Sequence, residues 1–432
     1  MEELFGPPGA RAFAVRYWTG ETEHGMTAGR EPFTLVLHHA ATLRRMFWPP
    51  SELALGEAFV RGDVSVEGNV EAAAVLTGAV AERLRSARRL ARLAGLLLRL
   101  PRAKPAAAAE TSAGASQRRS LLGRRHTRRR DAAAIEHHYD VGNEFYSLWL
   151  DADFVYSCGY FADGVDDLDD AQRHKLDLVC RKLRLRPGES LLDIGCGWGG
   201  LIRHAVRNYG VEAHGITLSH AQAAFARERI TADGLSNRCR VDVADYRSLP
   251  LAAAYDKVVS VGMFEHVGAA QLPTYFAAAR RLTRPGGLFL NHGIVTLERA
   301  VPRTLAKRVA HLAWRGGRFM DRYVFPDGSL STLSQAVAAA EAAGFETRDV
   351  ESLREHYART LRHWVARLEE HSSSAVALVG AERYRIWRLY MAASARAFAT
   401  ARIGVVQLLF SRATPDGSCN LPPTRADLYV PG

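Results

Sequence analysis

The segment LLDIGCGWGG, residues 191–200, decides the fold of this chain. It begins as a short apolar strand that ends at Asp193 and Ile194, and it continues into glycines at positions 195, 197, 199 and 200. Glycine accepts backbone dihedral angles that other residues avoid, and it lets a ligand lie close to the main chain. A strand that leads through a glycine loop into a helix is typical of the nucleotide-binding corner of an open α/β sheet.

The spacing of these glycines narrows the choice of ligand. It is Gly-x-Gly-x-Gly, whereas dinucleotide-binding loops have G-x-G-x-x-G, and no Gly-Lys-Ser/Thr follows that would hold a triphosphate. A glycine-rich turn without a ligand is the alternative interpretation. The sequence on both sides of the loop argues against it.

Strands and helices alternate around the loop. We predict strands at residues 190–194, 211–217, 239–243, 255–261 and 287–295. We predict helices that begin near Ala171 and at 200–209, 219–233, 271–282 and 333–343, and a long helical region at 358–410. This order predicts an α/β fold with a doubly wound, mostly parallel sheet. Ligands of such sheets bind at the carboxyl ends of the strands, where the loop, Thr217, Asp245 and Glu265 lie.

The composition sets the broad class of the protein. With 432 residues and 47% hydrophobic residues, the chain is long enough for two or three domains with a substantial core. No apolar run approaches the roughly 20 residues that span a bilayer, and the amino terminus lacks the pattern of a secretory signal. The five cysteines are scattered without metal-binding spacing, so we expect reduced thiols in the cytoplasm and no metal site.

The net charge of +11 is concentrated in one segment. Between Arg83 and Arg130 there are fifteen Lys or Arg and one acid, so this segment carries +14 and the rest about −3. Residues 81–104 have helical periodicity, with arginines on one side and leucines on the other. The basic side holds Arg85, Arg88, Arg89, Arg92 and Arg99, and the apolar side holds Leu90, Leu93, Leu97 and Leu100.

Two interpretations of this basic helix remain open. It could lie in the interface of an anionic membrane with its apolar face down, or it could pack on its own domain. A low-complexity linker and a second basic cluster, RRSLLGRRHTRRR at 118–130, follow it. No aromatic side chains are interleaved to stack on bases, so anionic lipid is favoured over nucleic acid as the partner. We therefore expect a cytoplasmic protein that associates peripherally with the inner face of the membrane, with a homodimer as a possible assembly.

The sequence indicates four regions. Residues 1–80 read as a small α+β domain, with a strand at FTLVLHH (33–39) and a hairpin at residues 61–63. Residues 81–130 hold the basic amphipathic helix and the linker, 131–412 form the catalytic domain, and 413–432 are a loose carboxyl-terminal tail.

Further stretches match one enzyme family in order and wording. They are HHYDVGNEFYSLWLD (137–151), YSCGYF (156–161), TLSHAQ (217–222), SVGMFEHVG (260–268), LNHGI (290–294), FPDGSL (325–330) and HYARTLRHW (356–364). Together with the D-x-G-x-G-x-G loop, they resemble the cyclopropane-fatty-acyl-phospholipid synthases, including the mycolic acid cyclopropane synthases and fatty acid methyltransferases. The resemblance covers 131–412, and residues 1–80 weakly resemble the smaller lipid-binding domain of the longer synthases.

This resemblance implies a methyltransferase that uses S-adenosylmethionine on the cis double bond of unsaturated phospholipid acyl chains. An alkene is a weak nucleophile, so it needs the electrophilic sulfonium methyl group. Methyl transfer leaves a carbocation that water would quench, so the site should be dry. Loss of a proton from the new methyl group closes the ring, and a base must stand within about 3 Å of it.

In the family this base is a bound bicarbonate ion, and its ligands map onto motifs of this sequence. They are Cys158, Glu265, His292, Ile294 through its backbone, and Tyr357. Each alone could be an ordinary structural residue, and it is their joint occurrence that favours function.

The resemblance also implies the residues around S-adenosylmethionine. They are Tyr156, Ser157, Asp193, Gly195, Gly197, Gly199, Thr217, Leu218, Ser219, Gln222, Asp245 and Tyr246. Many methyltransferases end the second strand with an acid that binds the ribose hydroxyls. Here that strand ends in residues 215–217, Gly-Ile-Thr, so Gln222 or a backbone group must take that role.

Two further expectations concern the acyl chain and the absence of a nucleophile. Several synthases have a cysteine where this chain has Ser394, which disfavours a mechanism that needs a cysteine nucleophile there. We expect the acyl pocket to be lined by Trp314, Phe319, Met320, Tyr323 and Phe325, for which ordinary packing is the alternative.

Three other functions compete with cyclopropane synthesis. A hydride shift before proton loss would give a methylene-branched chain from the same substrate. A nucleic-acid methyltransferase would need an Asn-Pro-Pro-Tyr or Pro-Cys motif, and neither is present. A non-catalytic lipid-binding protein is disfavoured because Glu265, His292 and Tyr357 are intact.

Overall fold

The computed structural model describes most of the chain in two compact units. The described residues are 1–26, 29–48, 51–83, 86–101, 141–250, 255–297, 318–325, 328, 330–419 and 421–428. The amino-terminal unit comprises Met1–Arg119, Arg299–Pro326 and Val365–Arg396, and the α/β unit comprises Ser120–Glu298, Asp327–Trp364 and Ala397–Gly432. The expected boundaries at residues 80, 130 and 412 follow the order of the chain, whereas these units interleave its segments.

The secondary structure of the described residues is as follows. The strands are β1 Ala14–Arg16, β2 Thr22–Glu23, β3 Phe33–Leu37, β4 Val64–Gly68, β5 Ser190–Ile194, β6 Glu212–Thr217, β7 Cys239–Val243, β8 Tyr255–Val261, β9 Thr283–Thr296, β10 Glu346–Ser352 and β11 Ile403–Ser411. The helices are α1 Glu2–Phe5, α2 Thr42–Phe47, α3 Glu52–Arg61, α4 Val70–Ala73, α5 Val75–Arg83, α6 Ala87–Arg99, α7 Asn143–Ser147, α8 Leu168–Lys182, α9 Gly200–Tyr209, α10 His220–Ala232, α11 Leu272–Leu282, α12 Arg318–Tyr323, α13 Leu333–Ala342, α14 Arg354–Glu370 and α15 Ser372–Ala399. Single 3₁₀ turns occur at Pro8–Ala10, Tyr246–Ser248, Phe264–His266, Ala269–Gln271 and Ala426–Leu428.

A seven-stranded sheet forms the centre of the α/β unit. Its strand order is β10-β11-β9-β8-β5-β6-β7, and the pairs from β9 to β7 are parallel. Strand β11 runs antiparallel between β9 and β10. The predicted fold class, a doubly wound and mostly parallel α/β sheet with a small amino-terminal domain, is confirmed.

Both faces of this sheet are buried. Side chains alternate between the two faces of a strand, so neighbouring residues of β5 enter different parts of the core. Leu191 packs in a cluster with Ile202 of α9, whereas Leu192 packs in a second cluster with Phe276 of α11. This double burial explains why the predicted strands are short apolar runs, as is typical of parallel sheets.

The end of the predicted helical region is wrong. Residues 403–411 form β11, an antiparallel strand that pairs with β9 from Ile403 to Ser411. The sequence IGVVQLLFS is apolar and rich in β-branched residues, and its pairing partner lies more than a hundred residues earlier in the chain. A short apolar run is ambiguous between helix and strand until its partner is known.

The carboxyl-terminal tail is not loose in its described part. Leu428 is buried, and its carbonyl oxygen accepts a hydrogen bond of 2.8 Å from Arg181. Asp427 forms an ion pair with Arg184, and Arg425 forms another with Asp349. These contacts tie residues 425–428 to the α/β unit.

The amino-terminal unit has its own small sheet, in the order β2-β1-β3-β4. The expected strand at 33–39 is present as β3, but the expected hairpin at residues 61–63 is wrong. Gly62, with φ 75°, ends α3 in a left-handed conformation, and β4 then pairs antiparallel with β3. Asp63 accepts hydrogen bonds of 2.7 Å from Arg45, which fixes this corner.

The basic helix α6 packs on the amino-terminal unit through part of its apolar face. Leu93 and Leu97 belong to the core of that unit, whereas Leu90, Leu96 and Leu98 are 42%, 49% and 56% exposed. The packing interpretation thus accounts for the centre of the apolar face. Arg85, the linker and the basic cluster at 118–130 lie outside the described residues, and among the described helices none is long and apolar enough to cross a membrane.

Candidate active site

The glycine loop follows β5 and has the conformation that its glycines predict. Gly195 has φ 87°, and a Cβ atom added there would lie 3.1 Å from the Cβ of Met263. A Cβ at Gly200 would lie 2.9 Å from the carbonyl oxygen of Asp153. The indole of Trp198 donates a 2.8 Å hydrogen bond to Asn143. The positive φ of Gly195 and the close backbone oxygen at Gly200 therefore favour glycine at these two positions.

A pocket lies over this loop. Its wall includes ten of the twelve residues expected around the cofactor, namely Tyr156, Ser157, Asp193, Gly195, Gly197, Thr217, Leu218, Gln222, Asp245 and Tyr246. The other two, Gly199 and Ser219, precede helices α9 and α10 and act as their N-caps. The pocket therefore brings the glycine loop and the ends of β6 and β7 together in one cavity.

The end of β6 forms a small hydrogen-bond network around Gln222. Thr217 donates from Oγ1 to the amide oxygen of Gln222 at 2.9 Å, and Ser219 Oγ accepts from the backbone N–H of Gln222 at 3.2 Å. The amide nitrogen Nε2 of Gln222 lies 4.0 Å from the place of a Cβ on Gly197. The network leaves a donor at the glycine loop, which matches the role expected of Gln222 toward ribose hydroxyls.

Arg247 is a pocket residue that the sequence did not reveal. Its guanidinium binds both carboxylate oxygens of Asp245, at 2.6 to 3.1 Å, and it lies 5.5 Å from the ring centroid of Tyr246. Asp245 also accepts from the backbone N–H of Arg247 at 2.8 Å. No motif marks this arginine, because it acts on its neighbours in the chain.

Asp193 is a buried carboxylate in the wall of the same pocket. Burial raises the pKa of Asp193 to about 7, and nearby Lys175 opposes that shift. Within the described residues, its Oδ1 atom has no hydrogen-bond partner. The pocket therefore holds a polar atom that a ligand can satisfy.

A second group of residues lies next to segments of the pocket wall, since Ser157 and His266 of that wall adjoin Cys158 and Glu265 in the chain. We call this group the polar cluster. It consists of Cys158, Glu265, His292, Ile294, Tyr357 and Gln407. Glu265 lies in the 3₁₀ turn after β8, and its Oε1 accepts from the backbone N–H of Ile294 at 2.7 Å. Gly293 permits this contact, because a Cβ there would lie 2.9 Å from Phe264. Burial raises the pKa of Glu265 to about 7.

His292 lies on β9 directly opposite Gln407 of β11. Its Nδ1 is 3.2 Å from Nε2 of Gln407, and both residues are buried. Burial lowers the pKa of His292 to about 3, so the ring is neutral. Gln407 was missed because residues 358–410 were predicted as helix; its signal was a polar residue inside an apolar run.

Cys158 and Tyr357 meet at a single backbone group. The carbonyl oxygen of Leu353 accepts from the backbone N–H of Tyr357 at 3.0 Å and lies 3.6 Å from Sγ of Cys158. The N–H of Leu353 donates to Val405, which pairs with Ile294 across the sheet. The five residues predicted for the anion site thus lie on segments connected through β11. Burial raises the pKa of the Cys158 thiol well above its usual range.

Polar atoms in this cluster are left without partners. Within the described residues, Glu265 Oε2, His292 Nε2 and Gln407 Oε1 are buried and make no hydrogen bond. Buried polar atoms are normally paired, so each unpaired atom calls for an explanation. A small polar ligand between them is one such explanation.

Aromatic side chains surround Tyr156, whereas the described residues among those expected at the acyl chain lie in the amino-terminal unit. The ring centroid of Tyr156 is 5.4 Å from that of Trp149 and 5.2 Å from that of Trp364. Phe319 contacts Gly56, and Phe325 contacts Tyr390, within the amino-terminal unit. Trp314 lies outside the described residues, and the acyl-lining role of the set stays a prediction. Ser394 lies on α15.

The comparisons with known proteins agree with this geometry. The solved mycolic acid cyclopropane synthase CmaA1, complexed with S-adenosylhomocysteine (SAH) and CTAB, is 34% identical with a TM-score of 0.60, over 65% of this chain and 97% of that chain. The fold and the pocket together define an S-adenosylmethionine-dependent methyltransferase. The chain belongs to the family described as mycolic acid cyclopropane synthetase, whose model matches residues 126–408.

Some relatives identified by sequence are similar to a larger part of the chain. The chain is 41% identical over 415 residues to the probable fatty acid methyltransferase of Pseudomonas putida, covering 96% of this chain and 95% of that protein. It is 37% identical over 281 residues to the cyclopropane-fatty-acyl-phospholipid synthase of Escherichia coli strain K12, covering 65% of this chain and 68% of that protein. Residues 1–83 match a domain family of unknown function. The predicted resemblance is confirmed.

Proposed function

We propose that the protein transfers a methyl carbon from S-adenosylmethionine to the cis double bond of an unsaturated phospholipid acyl chain and closes a cyclopropane ring. The observation that carries the proposal is a pair of buried atoms, Glu265 Oε2 and His292 Nε2, that have no hydrogen-bond partner among the described residues. Glu265 is followed in the chain by His266, and His292 pairs with Val261 of β8; both His266 and Val261 line the cofactor pocket. When bound, S-adenosylmethionine supplies the electrophilic methyl group, and bicarbonate supplies the base for the proton lost at ring closure.

The donor set of the polar cluster fits bicarbonate. Gln407 Nε2 donates to Nδ1 of His292, so the neutral ring carries its proton on Nε2 and presents a donor. Glu265 anchors one oxygen on Ile294 and leaves Oε2 for the ion. Bicarbonate carries oxygens that accept from His292 and an O–H group that can donate to a carboxylate, so its chemistry complements both atoms.

The protein contributes positioning and a dry environment to this reaction. Tyr156 lines the pocket and packs against Trp149 and Trp364, which are fully buried behind it, so this side of the pocket is apolar and closed to solvent from behind. A carbocation survives longer where no water can reach it. The raised pKa of the Cys158 thiol keeps it protonated, so Cys158 acts as a hydrogen-bonding group and not as a nucleophile.

A methylene-branched product is the second candidate. It needs the same cofactor and substrate but a different site of proton loss. The relative from Pseudomonas putida that matches nearly the whole chain is named a fatty acid methyltransferase, not a cyclopropane synthase. We therefore propose the methylene-branched product as the second candidate, after the cyclopropane ring.

The test of the proposed function is a product analysis. The protein is incubated with S-adenosylmethionine and vesicles of monounsaturated phosphatidylglycerol, and vesicles of a saturated phospholipid serve as control. We expect acyl chains heavier by one CH₂ from the unsaturated vesicles alone, and proton NMR then separates the ring from the methylene branch. Absence of any heavier chain would reject both candidates.

Bicarbonate is tested by its removal. Turnover measured in buffer freed of carbon dioxide should fall, and added bicarbonate should restore it, because the base for ring closure is then supplied from solution. Affinity for SAH should stay constant throughout. Turnover that is indifferent to bicarbonate would contradict this part of the proposal.

We also propose that the arginine face of α6 attracts the protein to anionic membranes from the cytoplasmic side. Each basic residue near an anionic surface contributes up to roughly 1 kcal/mol. Replacing exposed Arg88 and Arg99 by Gln should therefore weaken binding to phosphatidylglycerol vesicles by about 10-fold at low salt. The matched control replaces exposed Arg238 and Arg281 of the α/β unit, and equal losses in both variants would contradict the proposal.

A further inference from the structure

Lys175 is a buried cation in the wall of the cofactor pocket. It lies on α8, and its side chain is 1% exposed. Its Nζ donates to Ser157 Oγ at 2.9 Å. An ammonium group has three N–H donors, and within the described residues no carboxylate stands within ion-pair distance of this one.

The nearby acids do not neutralise Lys175 directly. Asp151 and Asp193 both act on it through space, but the oxygens of Asp151 accept backbone hydrogen bonds of 2.9 and 3.0 Å from Val155 and Asp153. Burial lowers the pKa of Lys175 to about 8, which leaves it mainly protonated at neutral pH. A buried cation without a direct counterion is costly, so such groups are normally paired.

A second lysine on the same helix provides the contrast. Lys182 is 2% exposed, and it forms an ion pair with Glu351 and a second, at 3.5 Å, with Asp349. The protein itself supplies the counterions of Lys182, which lies away from the pocket. Lys175 faces the pocket, so its counterion can come from the ligand.

We propose that Lys175 binds the carboxylate of the methionine part of S-adenosylmethionine. Ser157 holds the side-chain ammonium group of Lys175 in place by accepting a hydrogen bond from it. The inference rests on the cofactor of the proposed function. The carboxylate is the single anionic group of that ligand, whose sulfonium and α-ammonium groups are cationic. The same buried charge disfavours a cationic ligand that lacks the carboxylate, so Lys175 is a specificity-determining residue of the pocket.

The test compares two ligands that differ in this carboxylate. S-adenosylmethionine and its decarboxylated form are titrated calorimetrically into the wild-type protein and into Lys175→Gln, without lipid, so that no turnover is involved. Charge-assisted hydrogen bonds contribute about 1.5–3 kcal/mol. Lys175→Gln should therefore weaken binding of S-adenosylmethionine by about 10- to 100-fold, whereas the decarboxylated form should bind as tightly as before or more tightly, because the repelling charge is gone.

Two further variants separate ligand binding from folding. Lys182→Gln removes a buried lysine from the same helix and should leave both affinities unchanged, with thermal unfolding as the check on stability. Ser157→Ala removes the support of Lys175 and should give the same ligand selectivity at about 3-fold, even if Lys175→Gln fails to fold.

The outcomes distinguish the inference from the proposed function. Equal losses for both ligands, or unchanged affinity for S-adenosylmethionine, would overturn the role of Lys175 while leaving the cofactor assignment intact. A wild-type protein that binds neither ligand would overturn both together. A loss of affinity for S-adenosylmethionine alone, without a loss of affinity for its decarboxylated form, supports the inference whatever lipid product is found.

Discussion

The cofactor pocket and the polar cluster are neighbours in the α/β unit, but they are built in different ways. The pocket is assembled from short segments at the ends of β5, β6 and β7, where most side chains bind residues close in sequence. Gln222 and Thr217 form one such pair, and Arg247 and Asp245 form another. The polar cluster joins segments that lie more than a hundred residues apart in the chain.

The two regions also differ in how their polar atoms are satisfied. The pocket holds Gln222 and Asp245 in internal hydrogen bonds and leaves one buried oxygen, Asp193 Oδ1, without a partner among the described residues. By the same measure the polar cluster leaves three atoms without a partner: Glu265 Oε2, His292 Nε2 and Gln407 Oε1. From this difference we infer that cofactor binding and proton removal can be separated experimentally. Mutations in one region should leave the property of the other region intact.

The largest expected effect is that of Glu265→Gln on turnover. The substitution keeps the size of the side chain but removes its ability to accept or relay a proton, so turnover should fall by about 100-fold or more. Affinity for SAH, measured by calorimetry, should change by less than about 2-fold, since Glu265 does not line the pocket.

Two observations check this separation. Tyr357→Phe should likewise lower turnover while sparing affinity for SAH, and Glu212→Gln, an exposed position at the start of β6, should change neither. If Glu265→Gln abolished cofactor binding, the assignment of separate roles to the two regions would be wrong.

Glu265→Gln should also have a pH-dependent effect on the stability of the fold. The pKa of Glu265 is raised to about 7 in the folded protein, so its proton stabilises the fold at low pH and this contribution is lost as pH rises through 7. Gln cannot lose a proton. The variant should therefore gain stability relative to wild type, by about 1–3 kcal/mol, between pH 5 and pH 8.

Thermal unfolding at a series of pH values measures this gain. The difference in Tm between Glu265→Gln and wild type should grow with pH, whereas the difference for Glu212→Gln should stay flat. A constant difference for Glu265→Gln would show that its carboxylate does not titrate in this range.

A smaller effect is expected from Gln407→Leu. The change removes the donor that holds Nδ1 of His292, so the tautomer of the ring is no longer fixed and turnover should fall by about 10-fold. Nitrogen-15 NMR of His292 should report a shifted tautomer ratio, which a purely structural role would not produce. Gln407→Glu keeps the size of the side chain but removes the same donor, so it should also lower turnover.

The smallest effect is expected on the pocket side of the comparison. Gln222→Ala removes a donor near Gly197, and the affinity for SAH should fall by about 3- to 10-fold. Turnover at saturating S-adenosylmethionine should stay within about 2-fold of wild type. A large fall in saturated turnover would join the two regions into one functional unit.

Local signals predicted the centre of the pocket, whereas the other cofactor residues were predicted from the family resemblance. The glycine loop, the N-cap Ser219 and the strand ends at Thr217 and Asp245 each depend on residues within a few positions of one another. Their conformations follow from short-range sterics and hydrogen bonds, which a sequence displays directly. Arg247 was missed although it is close by, because an arginine beside an aspartate is common on any surface.

The amino-acid sequence was sufficient to predict a doubly wound α/β sheet with a glycine loop for a nucleoside-type ligand, and its motifs indicated the family. Only the tertiary structure decided that residues 403–411 form a strand and that Gln407 stands opposite His292. It also showed that Lys175 reaches the pocket with no ion-pair partner among the described residues, while Lys182 on the same helix forms an ion pair with Glu351. The physical reason is range: strand pairing and buried charge depend on partners distant in the chain, and periodicity within one segment cannot name them.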